Sequence, residues 1–238
     1  MIQFKLDSNT AYLIGVYFSD GCINLTQDNC YRFCLSVTDK GFAESVAITL
    51  QKLLGRKVTI SEQQRGTRKL LYNVFVRCDE LCRWVLLATK NGSSLPDETW
   101  EALPIVKHKL ITGFIDGDGY ISKSKQKHFD TYRHQIGYCS TDTDLLAQYN
   151  KLLTSLGVSV WPKPLICKGG FAGSIKPVVH YRFNVASFIR AGCRFSIKRK
   201  SDRLDECINL LPQRLNATHL RRLSGYSNQI NNIRKPSA

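Results

Sequence analysis

Acidic residues are scarce in this chain: 19 Asp and Glu stand against 34 Lys and Arg, a formal net charge of +15 over 238 residues. Such an imbalance points to a polyanionic partner, nucleic acid first and a membrane surface second. Long apolar runs are missing. A membrane-spanning helix needs about 18 consecutive apolar residues, and no stretch approaches that, so no membrane span is expected, and a membrane partner ranks far below nucleic acid. The opening Met1-Ile2-Gln3-Phe4-Lys5-Leu6-Asp7 lacks the apolar run and small-residue cleavage site of an export signal and the Arg and Ser content of a transit peptide. The expected location is therefore intracellular, in a cytoplasm, nucleoid or organelle, without secretion. Nine cysteines form no CxxC pair and have no His at zinc-finger spacing, which reads as reduced thiols and not a zinc or disulfide framework. Disorder is excluded by 43% hydrophobic and 10% aromatic content with only 22% charged residues.

What is present is a repeat. Residues 13 to 23 read Leu-Ile-Gly-Val-Tyr-Phe-Ser-Asp-Gly-Cys-Ile, and residues 111 to 121 read Ile-Thr-Gly-Phe-Ile-Asp-Gly-Asp-Gly-Tyr-Ile. Gly15, Asp20, Gly21 and Ile23 thus recur as Gly113, Asp118, Gly119 and Ile121. An internal repeat decides architecture before local propensity does. After each copy comes an alternating hairpin, 22 to 25 with 31 to 37 and 120 to 122 with 133 to 140. A Thr-Asp pair then leads into an apolar helix, 46 to 54 or 145 to 156. A second hairpin follows, 57 to 61 with 69 to 77 and 158 to 166 with 176 to 185, and then a helix, 80 to 90 or 187 to 193. Each half reads as an α+β unit of helix, hairpin, helix, hairpin, helix. The expected units are 1–97 and 98–211, joined through a linker at 91 to 103, with a basic extension at 212–238. Charge is divided unevenly, +2 on residues 1 to 100 and +13 on the remainder.

Positions four apart share a helix face, and in the two copies that face carries Gly15 with Ser19 and Gly113 with Gly117. Small residues at this spacing let two helix backbones approach closely, so the two copies are expected to pack on each other. The competing reading of Asp20-Gly21 and Asp118-Gly119 as hairpin turns leaves the matched glycines five residues earlier unexplained. Aspartates at helix C-termini face the negative end of the macrodipole, and two at converging ends repel each other. A hard divalent cation, which binds through one or two carboxylates, water and phosphate, relieves both costs. A calcium EF-hand at Asp116 fails on spacing, because its fifth position would be Tyr120 and its twelfth Lys127.

The duplicated Leu-Ile-Gly-Val-Tyr-Phe-Ser-Asp-Gly and Ile-Thr-Gly-Phe-Ile-Asp-Gly-Asp-Gly resemble the namesake motif of the LAGLIDADG homing endonucleases, in the single-chain form with two motifs. The resemblance covers nearly the whole chain up to about Pro212. It implies two pseudo-symmetric αββαββα units whose motif helices form the interface and whose antiparallel sheets make a saddle over double-stranded DNA. It further implies a monomer in which Asp20 and Asp118 bind catalytic Mg²⁺ or Mn²⁺ and water attacks a phosphate on each strand. Asp39 and Asp142 match the polar position that follows the second strand in the family, with a helix cap as the equally weighted alternative. Lys198, in Phe195-Ser-Ile-Lys-Arg-Lys200, fits the family's late lysine best. Lys90 is the weaker match in the first half, since the Thr-Lys-Asn-Gly around it could simply close a helix. The sixth motif position departs from symmetry, being Asp116 in one copy and Phe18 in the other.

Outward side chains at alternate hairpin positions are the candidates for reading a long, pseudo-palindromic or asymmetric target in the major groove. In the first half they are Asn24, Gln27, Arg32, Gln63, Gln64, Arg65, Arg68 and Lys69. In the second they are Lys123, Lys125, Gln126, Lys127, Arg133, Gln135, Lys163, Lys168, Lys176, His180 and Arg182. Arg and Lys suit guanine while Gln and Asn suit adenine, so the mixture favours sequence reading over plain charge neutralisation. The leading expectation is a site-specific, divalent-metal-dependent double-strand DNA endonuclease of intron homing. The alternative is a non-cleaving nucleic-acid binder on the same scaffold, an intron RNA maturase or a DNA-binding regulator. A protein-splicing element is not expected, because the chain lacks an opening Cys or Ser and a closing His-Asn.

Overall fold

A computed structural model describes residues 4–64, 66–125, 132–167 and 176–210. The first half runs α1 (Ser8–Ser19), β1 (Gly21–Leu25), β2 (Tyr31–Val37), α2 (Lys40–Leu54), β3 (Ile60–Gln63), β4 (Leu71–Arg77) and α3 (Asp79–Ala88). The second runs α4 (Pro104–Gly117), β5 (Gly119–Lys125), β6 (Tyr132–Ser140), α5 (Thr143–Ser155), β7 (Leu165–Cys167), β8 (Val178–Phe183), α6 (Val185–Arg190) and α7 (Lys198–Leu210). The fold is α+β with two four-stranded antiparallel sheets of identical topology, β1-β2-β4-β3 and β5-β6-β8-β7. Among the described residues, no helix is long and apolar enough to cross a membrane.

Local chemistry explains the element ends. Asp7 caps α1 by accepting from the Asn9 and Thr10 amides, while the Thr10 hydroxyl accepts from the Asp7 amide, a reciprocal capping box. Pro104 opens α4 at the position where a missing N–H costs nothing. Helices α2 and α5 bury stripes at helical spacing, Phe42, Ala43, Val46, Ala47 and Leu50 in one and Leu145, Leu146, Tyr149, Leu152 and Leu153 in the other. One continuous apolar core joins both halves.

Two expectations need correction. The sequence reading has no helix after α6, yet α7 packs Leu204 and Cys207 into the core. Its run of charged residues hides a narrow apolar stripe. The strand expected over 158 to 166 is reduced to β7 and an isolated bridge between Val160 and Phe183. Pro162 and Pro164 carry no N–H to donate to a ladder.

Candidate metal and nucleic-acid site

Helices α1 and α4 touch backbone to backbone. A Cβ on Gly15 would lie 2.2 Å from the Leu110 carbonyl oxygen, and one on Gly113 would lie 2.1 Å from that of Tyr12. Only glycine permits this approach. It brings the two helix ends together: a Cβ on Gly117 would sit 2.3 Å from Ser19 Oγ and 2.4 Å from Asp20 Oδ2. The Asp20 carboxylate therefore occupies space that any side chain at 117 would fill.

Asp20 and Asp118 are the C-cap residues of α1 and α4. The carboxyl of half-buried Asp118 is pushed up to about 7, first by burial and then by the charge of Asp20. Asp20 keeps solvent access, and the protein packed around it raises its carboxyl while the Lys200 ammonium acts the other way. Two acids near each other at the negative ends of two helices are each costly to ionise.

Lys200, on α7, answers part of that cost. It is only 6% exposed, and its Nζ donates to the carbonyls of Ile115 (2.9 Å), Asp116 (2.5 Å) and Gly117 (3.0 Å). These are carbonyls of the last turn of α4, where helix-internal donors run out; that of Ile115 also accepts from the Asp118 amide. An ammonium has three N–H donors, and all are engaged here. Burial lowers the ammonium to about 8, with the Asp116 carboxylate opposing. Lys200 is thus a fixed positive charge beneath the carboxylates.

Position six of the motif reaches across the seam in both copies by different chemistry. Asp116, 2% exposed, accepts from the Tyr12 hydroxyl at 3.0 Å, from the Ser196 amide at 2.9 Å and from the Ser196 hydroxyl. Burial raises its carboxyl, and the Ser196 and Tyr12 hydrogen bonds counter the rise. Phe18 instead sets its ring edge-on to Tyr149 of α5, centroids 6.4 Å apart, and Tyr149 stacks on Phe114 at 3.7 Å.

The remaining candidates separate from this cluster. Lys198 is 85% exposed and pairs with Asp202 at 2.7 Å. Residues two apart on a helix point about 200° apart, so only one of Lys198 and Lys200 can face α4. Lys90 sits past the end of α3 with φ 50°, its ammonium 3.3 Å from Asp97. Asp39 and Asp142 are N-caps, accepting from the amides of Phe42 (3.2 Å) and Leu145 (2.9 Å). Asp39 also receives Arg199 Nε from the other half at 3.3 Å. Sequence reasoning missed Lys200, although its spacing to the buried Leu204 and Cys207, four and seven residues on, is that of one helix face.

On the first sheet, strand alternation puts Asn24, Arg32 and Gln63 on the face opposite the core-facing Phe33, Leu35, Val74 and Val76. Asn73, Phe75 and Arg77 share that face and were not among the sequence candidates. Gln27, Gln64, Arg68 and Lys69 are exposed in the hairpin loops. On the second sheet, Gln135, His180 and Arg182 lie on the side of Tyr120, whose ring meets His180 edge-on at 6.1 Å. Lys123 is a correction: it lies on the opposite side from Ser122 and Ser124 and pairs with Glu206 of α7. The expected reading phase slips there by one residue, and a one-residue slip moves a side chain to the other face. Lys163 and Lys176 are exposed beside β7 and β8. Arg65, Gln126, Lys127 and Lys168 lie outside the described residues, as do the side chains of Lys125 and Arg133.

Among the described residues, no group of three or more His, Cys, Asp or Glu converges on one point. A pair of carboxylates does not suit zinc, which takes three or four side-chain ligands. It suits a hard cation completed by water and phosphate oxygens, and the absence of a side chain at Gly117 lets the Asp20 carboxylate reach the end of α4.

Comparison with known proteins bears on the fold. ATP-dependent DNA helicase Hel308 of Thermococcus kodakarensis is 22% identical over 191 residues, 77% of this chain. This chain spans about a sixth of that protein's length (16%). The homing endonuclease I-WcaI, solved bound to its DNA recognition sequence, has a TM-score of 0.53 at 13% identity, covering 83% of this chain and 88% of its own. A variant of I-DmoI, solved with nicked target DNA in the presence of Mn, has a TM-score of 0.51 at 16% identity, covering 77% and 93%. At such identities the likeness is one of fold. Residues 7–86 and 106–190 both match the LAGLIDADG-like domain, one segment around each glycine-paired helix, and the chain belongs to that family.

Proposed function

We propose that this protein is a site-specific endonuclease that hydrolyses both strands of double-stranded DNA with a divalent metal. The observation that carries the reading is the seating of Asp20 against Gly117, beside Asp118, at the joined ends of α1 and α4. Asp20 and Asp118 would hold Mg²⁺ or Mn²⁺, which when bound supplies Lewis acidity and makes water a competent nucleophile at neutral pH. The chain's own part is positional. Asp20 and Asp118 present oxygens from the two halves to one point, so a single chain suffices. Lys200, with every N–H engaged by a carbonyl, contributes positive charge near the scissile phosphates at neutral pH. No side-chain nucleophile is required. The +15 net charge and the alternating Asn, Gln and Arg on the sheet face support DNA as the partner.

Incubation of a plasmid library of random target sites with Mg²⁺, then with chelator, tests the reading. The expected result is a selected sequence cut on both strands only when metal is present. Asp20→Asn and Asp118→Asn should each abolish cutting of at least one strand while leaving binding intact. Binding without cleavage by the wild-type protein would replace the nuclease reading with a non-cleaving DNA binder or intron RNA maturase.

A further inference from the structure

Strand β2 carries Arg32 at the middle of a cross-strand row, with Asn24 opposite it on β1 and Arg77 opposite it on β4. The two arginines differ. Arg77 is ion-paired with Asp28, whereas Arg32 has no carboxylate partner among the described residues and its Nε is buried without a hydrogen bond. Its guanidinium carbon lies 5.2 Å over the ring centroid of Phe75. That ring is 48% exposed on the face that also carries Asn24, Asn73 and Arg77. Arg32 also lines an open cleft with Leu25, Thr26, Gln27, Asp28 and Arg77.

We infer that Arg32 is a specificity-determining residue that reads one guanine of the DNA target, with Phe75 as the positioning residue that holds its guanidinium plane. The inference rests on the DNA-binding reading above and adds the base and the residue. Two features select a base over a phosphate. A guanidinium held over a ring face has fewer orientations to lose when it bonds guanine O6 and N7 in a bidentate pair. Such restraint adds nothing to a contact with phosphate, which a mobile lysine serves equally well. Lastly, Arg32 is half-buried on an interior strand, between Asn24 of β1 and Arg77 of β4, and not on an edge strand.

The test compares base preferences, position by position, selected from a random DNA library in chelator by the wild-type protein, Arg32→Gln and Phe75→Leu. Wild type should show one G·C pair that Arg32→Gln converts to a preference for A·T, with all other positions unchanged. The unchanged positions also establish that the variant is folded. Phe75→Leu keeps apolar bulk but not the ring. It should leave the preferred base unaltered and reduce discrimination at that pair alone, by about two- to fivefold. An unchanged profile for Arg32→Gln, with a binding salt slope lower by about one, would make Arg32 a phosphate contact and overturn the inference while leaving DNA recognition intact. Selection of no sequence by the wild-type protein would instead overturn the underlying reading together with this one.

Discussion

At the scale of single residues, the carboxylate of Asp118 ties protonation to folding. Its carboxyl lies near 7 in the folded chain against an ordinary value of 3.8, so the folded state keeps a proton that the unfolded state releases. Between about pH 4 and pH 7 the unfolded chain therefore binds fewer protons, and stability from this group falls as pH rises, levelling off above the folded value. In chelator at pH 7.5, Asp118→Asn should melt above wild type, by about 2–4 °C for each kcal/mol relieved, and the gap should close near pH 4. Adding Mg²⁺ should raise the wild-type melting temperature and not that of the variant. A variant melting at or below wild type at pH 7.5 would count against the strain assigned to this site. Lys200 makes a second contrast. Lys200→Met strips three carbonyls of their donor and should cost about 1–3 kcal/mol in urea unfolding. It should also slow cleavage at least tenfold. Lys198→Met removes only an exposed ion pair and should change stability by less than about 0.5 kcal/mol. The two lysines flank Arg199 in sequence and look interchangeable there. The packing of α7 on α4 separates them.

At the scale of elements, the paired glycines are the most exposed to test. Alanine is the better helix former by about 1 kcal/mol, but a Cβ at Gly113 would sit 2.1 Å from a backbone oxygen that cannot rotate away. The clash outweighs the propensity, and Gly113→Ala should lose about 2 kcal/mol or more in denaturant unfolding. A neutral or stabilising outcome would mean that the two helices separate more easily than their contact implies. Most elements were legible because they rest on local rules: caps, 3.6-residue stripes and two-residue alternation mark α1, α2, α5 and both hairpins of the first half. The helix α7 was not, since its charged sequence buries only a few side chains, and which ones depends on a distant partner. Likewise Pro162 and Pro164 shorten β7 by removing donors, an effect hidden within an otherwise alternating run.

At the scale of the whole molecule, the two parts of the chain carry very different charge, +2 over residues 1 to 100 and +13 over the remainder. Each phosphate neutralised releases counterions, so the dependence of binding on salt counts the contacts. Binding to DNA half-sites should show a steeper salt dependence for the half bound by residues 101 to 238, and equal slopes measured by titration across salt concentrations would contradict it. The same asymmetry appears at the seam. Asp116 crosses it by hydrogen bonds and Phe18 by ring packing, while Lys200 supports the end of α4.

The amino-acid sequence by itself determined the duplication, the order of elements in each half, the glycines that must face each other and the two aspartates at the helix ends. Those features follow from short-range sterics and from repetition, which need no knowledge of distant neighbours. Tertiary structure alone decided which lysine lies under the carboxylates, that Lys123 turns away from the reading face and that the Arg32 guanidinium lies over the Phe75 ring. Each of these is a choice between local arrangements of similar energy, and contacts made by residues far apart in the chain select one.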